Sequence, residues 1–212
     1  REGWIEKMKK VIRNSILIII IIGIAVAYSF GIWGKGIYVQ TASSGDNRLT
    51  NELIGNSELS QTFLCPYNGL NGIKVKMLRV GPETVDGYSW HVSDSQGEII
   101  AGGEIGQTQL EEKAFTRKKF LTFEIPQQKD SKGKEYTFYI NGTGVSKEGC
   151  LQAYVANGNQ YAKEFGIDGE NTEGSLVLKM NTMRFNTETF LVFLGLVVYV
   201  VVFFKFMYKL FK

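Results

Sequence analysis

The chain has 212 residues, enough for one ordinary domain plus additional segments. Its 24 Lys and Arg against 21 Asp and Glu leave a net charge of +3. That surplus lies in two short flanks at the chain ends, which argues against nucleic-acid binding. A mean hydropathy of −0.07 hides strongly apolar ends around a polar, Gly-rich and aromatic middle.

Residues 1–14 form a basic segment, with Arg1, Lys7, Lys9, Lys10 and Arg13 against Glu2 and Glu6. An uncharged run follows over 15–34, from Ser15 to Gly34. Its length matches a ~30 Å hydrocarbon core at ~1.5 Å per residue, and no polar stripe marks it as the helix of a soluble protein. A secretory signal peptide is the rival reading, but no small-x-small cleavage site follows the run. Trp33 and Tyr38 stand where an outer aromatic belt would lie. The linker over 35–47 carries Gly and Ser and is expected to be extended.

The span at the other end covers 188–208, with Lys205 and Lys209 placed to snorkel to the headgroups. FLVFLGLVVYVVVFF has no polar face, which argues against an interfacial helix. The tail 209–212 adds further basic charge. Basic residues outside both spans predict a two-pass protein of the cell membrane. Both termini are then cytoplasmic and the region between is extracytoplasmic. The polar segment Asn181–Thr187 is short, so the second span is expected to leave the domain almost directly.

Between the spans, residues 48–187 alternate in the manner of strands. The apolar sets are Ile73/Val75/Met77, Tyr88/Trp90/Val92, Leu121/Phe123/Ile125, Tyr136/Phe138/Ile140, Leu151/Ala153/Val155 and Leu176/Leu178/Met180. Gln61–Leu64 and Glu98–Ile105 are weaker candidates, and a short helical turn is expected near Thr108–Lys113. About eight strands predict a mainly β domain, a two-sheet β-sandwich of the jelly-roll kind flanked by two transmembrane helices.

An extracytoplasmic location permits a disulfide, and a Cys65–Cys150 bridge is the favoured reading. It would close a loop worth about 4–5 kcal/mol in the chain-entropy model. Two separate buried thiols are the alternative.

No catalytic constellation stands out. His91 is the only histidine and falls on the polar side of its strand. There is no zinc-type Cys/His spacing, Walker loop or dinucleotide fingerprint. The chain therefore reads as a non-enzyme. Its Tyr and amide residues suggest binding instead. Tyr139 and Tyr154 lie opposite their strands' apolar sets. Tyr67, Tyr154 and Tyr161 accompany Asn68, Asn157, Asn159 and Gln160. Aromatic faces stack on sugar rings and amides bond hydroxyls, so Tyr67, Tyr154, Asn157, Asn159 and Tyr161 form the candidate ligand set. The alternative is that these tyrosines cover core edges. No cofactor is expected. The identity of any metal stays open, with a structural calcium at Asp168 or Asp130 as one option.

Three stretches carry a family resemblance: SQTFLCPYNGLNGIKVKM from Ser60, KKFLTFEIP from Lys118 and DSKGKEYTFYI from Asp130. In this order they resemble the extracytoplasmic domain of bacterial multi-spanning membrane proteins of surface-polysaccharide and teichoic-acid glycosylation. The resemblance implies a carbohydrate-binding-module-like jelly roll in a bacterial cell envelope. The larger relatives continue into many more membrane helices that house a lipid-linked sugar site, whereas one further span follows here. No transferase activity is therefore carried over.

The expectation is an accessory subunit that binds or guides a surface glycan or glycolipid. Its spans would meet the lipid bilayer and either a polytopic partner or a second copy of the chain. Gly23, Ala25, Ala27 and Gly195 are the small residues available for such contact. The alternative is a purely structural auxiliary subunit of a transporter, channel or secretion assembly.

Overall fold

The computed structural model describes residues 2–40, 47–82 and 84–211. It divides into two compact units, a helical one of Arg1–Ile32 with Arg184–Lys212 and a β-rich one of Trp33–Met183.

The helical unit contains α1 (Glu2–Ser29) and α4 (Thr187–Leu210). Both are long and apolar enough to cross a bilayer, and their side chains are almost all exposed. Their charge-free stretches, 14–29 and 189–204, let them propagate without internal polar competition. Asn186 starts α4 by accepting the Thr189 N–H at 3.1 Å, which satisfies one orphan donor of the first turn. The Asn186 N–H bonds the Ser29 carbonyl at 2.8 Å. The Tyr28 and Phe193 rings meet at 5.8 Å.

Two sequence expectations change here. Helix α1 ends at Ser29, and Phe30–Gly36 is a strand, so the helix stops before Gly34. The short polar segment Asn181–Thr187 is not a separate connection: strand runs to Phe185 and α4 starts at Thr187, so the second span does follow almost directly. Of the expected extended linker, 41–46 lies outside the described residues.

The β unit is mainly β and sandwich-like, built from two antiparallel sheets. The seven-stranded sheet comprises β1 (Phe30–Gly36), β2 (Arg48–Leu49), β4 (Leu70–Val80), β7 (Phe120–Gln128), β9 (Cys150–Ala156), β12 (Ser175–Leu176) and β13 (Leu178–Phe185). Its main order is β1-β13-β4-β9-β12, with β2 on β9 and β7 on β4. The six-stranded sheet comprises β3 (Glu58–Leu64), β5 (Tyr88–Asp94), β6 (Ile99–Glu104), β8 (Glu135–Gly142), β10 (Ala162–Ile167) and β11 (Glu170–Asn171). Its order is β11-β10-β3-β8-β5-β6. Two short helices, α2 (Gln107–Glu111) and α3 (Lys113–Lys118), connect β6 to β7.

All six apolar sets read from the alternation are buried. They meet between the sheets: Phe123 of β7 touches Trp90 of β5 at 5.1 Å and Phe138 of β8 at 4.9 Å, centroid to centroid. Each such ring contributes roughly 1.5–3 kcal/mol by leaving water. Buried polar groups are paired across this core. Gln61 of β3 accepts the Leu176 N–H at 2.9 Å and donates to the Thr62 and Glu164 carbonyls. Ser131 donates to Tyr67 O and accepts the Leu70 N–H at 3.0 Å.

The expected disulfide is absent: Cys65 and Cys150 are free, buried thiols. The Cys65 N–H bonds the Lys134 carbonyl, just ahead of Glu135 at the start of β8. Cys150 opens β9 beside Tyr88, whose strand partner Gly142 ends β8. Seven steps of extended chain at about 3.3 Å each set these two ends roughly 20 Å apart. A bridge needs Cα atoms within about 7 Å. The Cys65 thiol donates instead to Tyr67 O, and that of Cys150 to Lys147 O.

Candidate functional site

The end of β9 and the turn after it build a cleft at one edge of the sandwich. Arg48 on β2, Asn157, Asn159, Lys163 on β10 and the Glu173–Gly174 corner line it, around about 590 Å³. That volume falls within the range of small-ligand pockets, but the walls are polar.

Glycines keep the cleft open. Gly174 adopts φ +107, and a Cβ there would stand 2.8 Å from Val155 Cγ1. A Cβ on Gly158 would stand 2.8 Å from that of Ala162. The Arg48 guanidinium donates to the Glu173 carbonyl, which fixes one wall. Two cations and one carboxylate line the space, and the Asn157 side chain is exposed.

The five candidate ligand residues separate. Asn157 and Asn159 reach the cleft. Asn159, however, uses its amide on the fold: its Nδ2 donates to Gly36 O at 3.2 Å and its Oδ1 accepts the Tyr161 N–H at 2.9 Å. Tyr161 is half-buried against the core, with Lys35 Nζ 5.8 Å from its ring centroid. Tyr154 lies beyond the cleft wall on β9, with Lys76 Nζ 4.4 Å above its ring. Tyr67 sits in the β3–β4 turn, where its carbonyl accepts from Cys65 and Ser131. The structure therefore brings the two asparagines together and leaves the three tyrosines at separate places.

Arg48, Lys163 and Glu173 were not singled out from sequence. The only local signal was the density of Gly and Asn around 157–174. Strand pairing brings β2 to the end of β9, and β10 arrives there from the other sheet; neither can be read from alternation alone.

Burial pushes the Cys65 and Cys150 thiols up, so neither is primed as a nucleophile. Burial lowers His91. No cluster of three or more His, Cys, Asp or Glu occurs among the described residues. The two carboxylates considered for calcium are far apart. The Asp168 Oδ1 accepts the Glu58 N–H at 2.8 Å, where Glu58 pairs with Asn141 near the end of β8. Asp130 lies in the turn that leads into the start of β8.

No known protein-family model matches this chain, and a search of curated proteins finds no match either.

Proposed function

We propose that this chain is a non-catalytic, membrane-anchored accessory protein of a bacterial cell envelope. Its sandwich, of the jelly-roll kind, lies outside the cytoplasm and binds or guides a surface glycan or glycolipid beside a polytopic membrane partner. The observation that carries this reading is the polar cleft around Asn157, held open by Gly158 and Gly174 and flanked by Arg48 and Lys163. Amide and cationic donors around an open space suit a hydroxyl-rich chain with anionic substituents.

The two apolar helices and their basic flanks support a two-pass anchor with both termini inside. A Cβ added at Gly23 or Gly195 would meet nothing within 4 Å, so both small residues are free for close contact with a partner helix.

The test is titration of the full chain in lipid nanodiscs with purified wall teichoic acid, rhamnan and glucan. Saturable binding that weakens at least tenfold in an Asn157→Leu, Lys163→Glu double variant supports the cleft. Absence of binding to every polymer favours a purely structural auxiliary subunit. That second reading draws on Asn159 and Tyr161, whose polar and aromatic groups are spent within the fold.

A further inference from the structure

The outer face of the six-stranded sheet carries one continuous row across all six strands. Register aligns Asn171 with Gly166, Gly166 with Ser60, Ser60 with Tyr139, Tyr139 with His91, and His91 with Gly102. The core residues beside them, among them Phe165, Leu59, Phe138, Ile140 and Trp90, point the other way. Within this row His91 and Tyr139 are stacked face to face, 4.4 Å between centroids and 11° between planes. Asn141 Nδ2 lies 3.4 Å from His91 Nδ1 and helps hold the imidazole upright.

Stacked rings on neighbouring strands stand up from the sheet as a low wall. The open face of Tyr139 looks toward Ser60 and Gly166. These residues are one and two strands away, about 5 and 10 Å at ordinary strand spacing. Neither raises a side chain tall enough to fill that space, and the next residue in the row is the exposed Asn171. The result is a trough with an aromatic wall, a Ser and Gly floor and an amide on the far rim. The glycine is needed: a Cβ at Gly166 would stand 2.7 Å from Ser60 Oγ.

The flanking rows are polar. Glu58, Asn141, Ser89 and Glu104 lie in register on one side, and Thr62 and Thr137 on the other, their hydroxyls 2.9 Å apart. These rows hold two carboxylates and no Lys or Arg, which argues against a polyanion. The threonine row continues through Ser93 to the exposed Ile99 on β6, the one large aliphatic side chain in these rows, which stands beyond the aromatic wall and away from the trough; a single such residue is too little for a lipid or an apolar peptide.

We propose that this trough is a saccharide site distinct from the edge cleft, in which a pyranose of a neutral glycan stacks on the open face of Tyr139. Its hydroxyls bond Ser60, the Thr62–Thr137 pair and Asn171. The sugar's apolar face covers the ring, while short hydroxyl and amide groups take its equatorial oxygens. This proposal rests on the glycan-binding reading and assigns it a second surface, one that takes neutral rather than anionic saccharides.

The test uses the full chain in lipid nanodiscs, titrated with cellohexaose, laminarihexaose and mannohexaose, with polyglycerol phosphate as the anionic comparison. Binding of at least one neutral hexasaccharide is expected. Tyr139→Ala should weaken it about tenfold, Tyr139→Phe should largely retain it, and Ser60→Leu should block it by filling the floor. The Asn157→Leu, Lys163→Glu cleft variant should leave it unchanged. Because Ser60 and Tyr139 face outward, a circular-dichroism melt within a few degrees of wild type shows that the variants fold. Loss of neutral-sugar binding in the cleft variant alone overturns the trough and keeps the cleft. Binding of no neutral hexasaccharide overturns the trough, while retained polyglycerol phosphate binding leaves the cleft reading standing.

Discussion

The Tyr88 hydroxyl accepts the Leu151 N–H at 3.0 Å, and in doing so ties the six-stranded sheet to the seven-stranded one. The same hydroxyl donates to the Leu53 carbonyl, so one side chain satisfies two backbone groups on a neighbouring layer. Replacing it by phenylalanine keeps the ring and strands a buried N–H. Tyr88→Phe is expected to cost about 1–3 kcal/mol in chemical denaturation.

Tyr88 also predicts an alkaline limit. Burial pushes its hydroxyl up to about 12 from an ordinary value near 10. The folded chain therefore keeps a proton that the unfolded chain releases between these values. The stabilisation is complete below pH 10 and is lost as pH rises toward 12, by roughly 2–3 kcal/mol. Wild type should lose this stability in denaturant titrations across that range, while Tyr88→Phe should lose less.

The cysteines give a chemical prediction. Iodoacetamide without reductant is expected to leave both thiols of the folded chain unlabelled and to label both after denaturation. Dithiothreitol should not change the melting temperature. Failure to label the denatured chain would mean that a bridge exists despite the roughly 20 Å of β8 between the two ends.

Alternation made most of the sandwich legible. Leu121/Phe123/Ile125 and Tyr136/Phe138/Ile140 were readable because a half-buried strand repeats every two residues, and these rings meet in the core. The central strand β3 was harder to read. Gln61 is fully buried in it, and a polar residue on the core face breaks the pattern. The strands β2, β11 and β12 are two residues each, too short to show any period. At Asn181–Thr187, polar composition marked a short segment apart from the strands, yet those residues continue β13 against β4 and then cap α4.

The candidate site was less legible than the fold. Asn157 and Asn159 were singled out and do line the cleft, but Arg48 arrives there through β2 pairing more than a hundred positions away in sequence. Tyr139 and His91 could each be seen to leave the core face. Only the register of β5 with β8 makes them neighbours, and register is a tertiary property.

Gln61 offers a test of the cross-sheet polar network. Gln61→Leu removes the acceptor for the buried Leu176 N–H and the donor to Glu164 O. The side chain volume is nearly kept, so the loss of about 2 kcal/mol expected by denaturation reports the unpaired groups. Hydrogen exchange at Leu176 should accelerate more than exchange across β7.

Gly81 is a backbone test. It adopts φ +79, and a Cβ there would stand 2.0 Å from the Glu148 carbonyl oxygen. Gly81→Ala must displace the turn that leads into Cys150 and β9. A loss of several kcal/mol is expected, whereas Gly→Ala at an unstrained position stabilises by about 0.4–1 kcal/mol. Gly97→Ala is the comparison, since its φ is also positive but nothing lies within 4 Å.

Saturable binding of a saccharide to the full chain in lipid nanodiscs, followed by calorimetry, tests the central claim most directly. Binding of at least one envelope polysaccharide or neutral hexasaccharide is predicted, weakened by substitution at the edge cleft or at Tyr139. Heats indistinguishable from dilution for every saccharide, with a folded and monodisperse protein, would contradict a glycan-binding role.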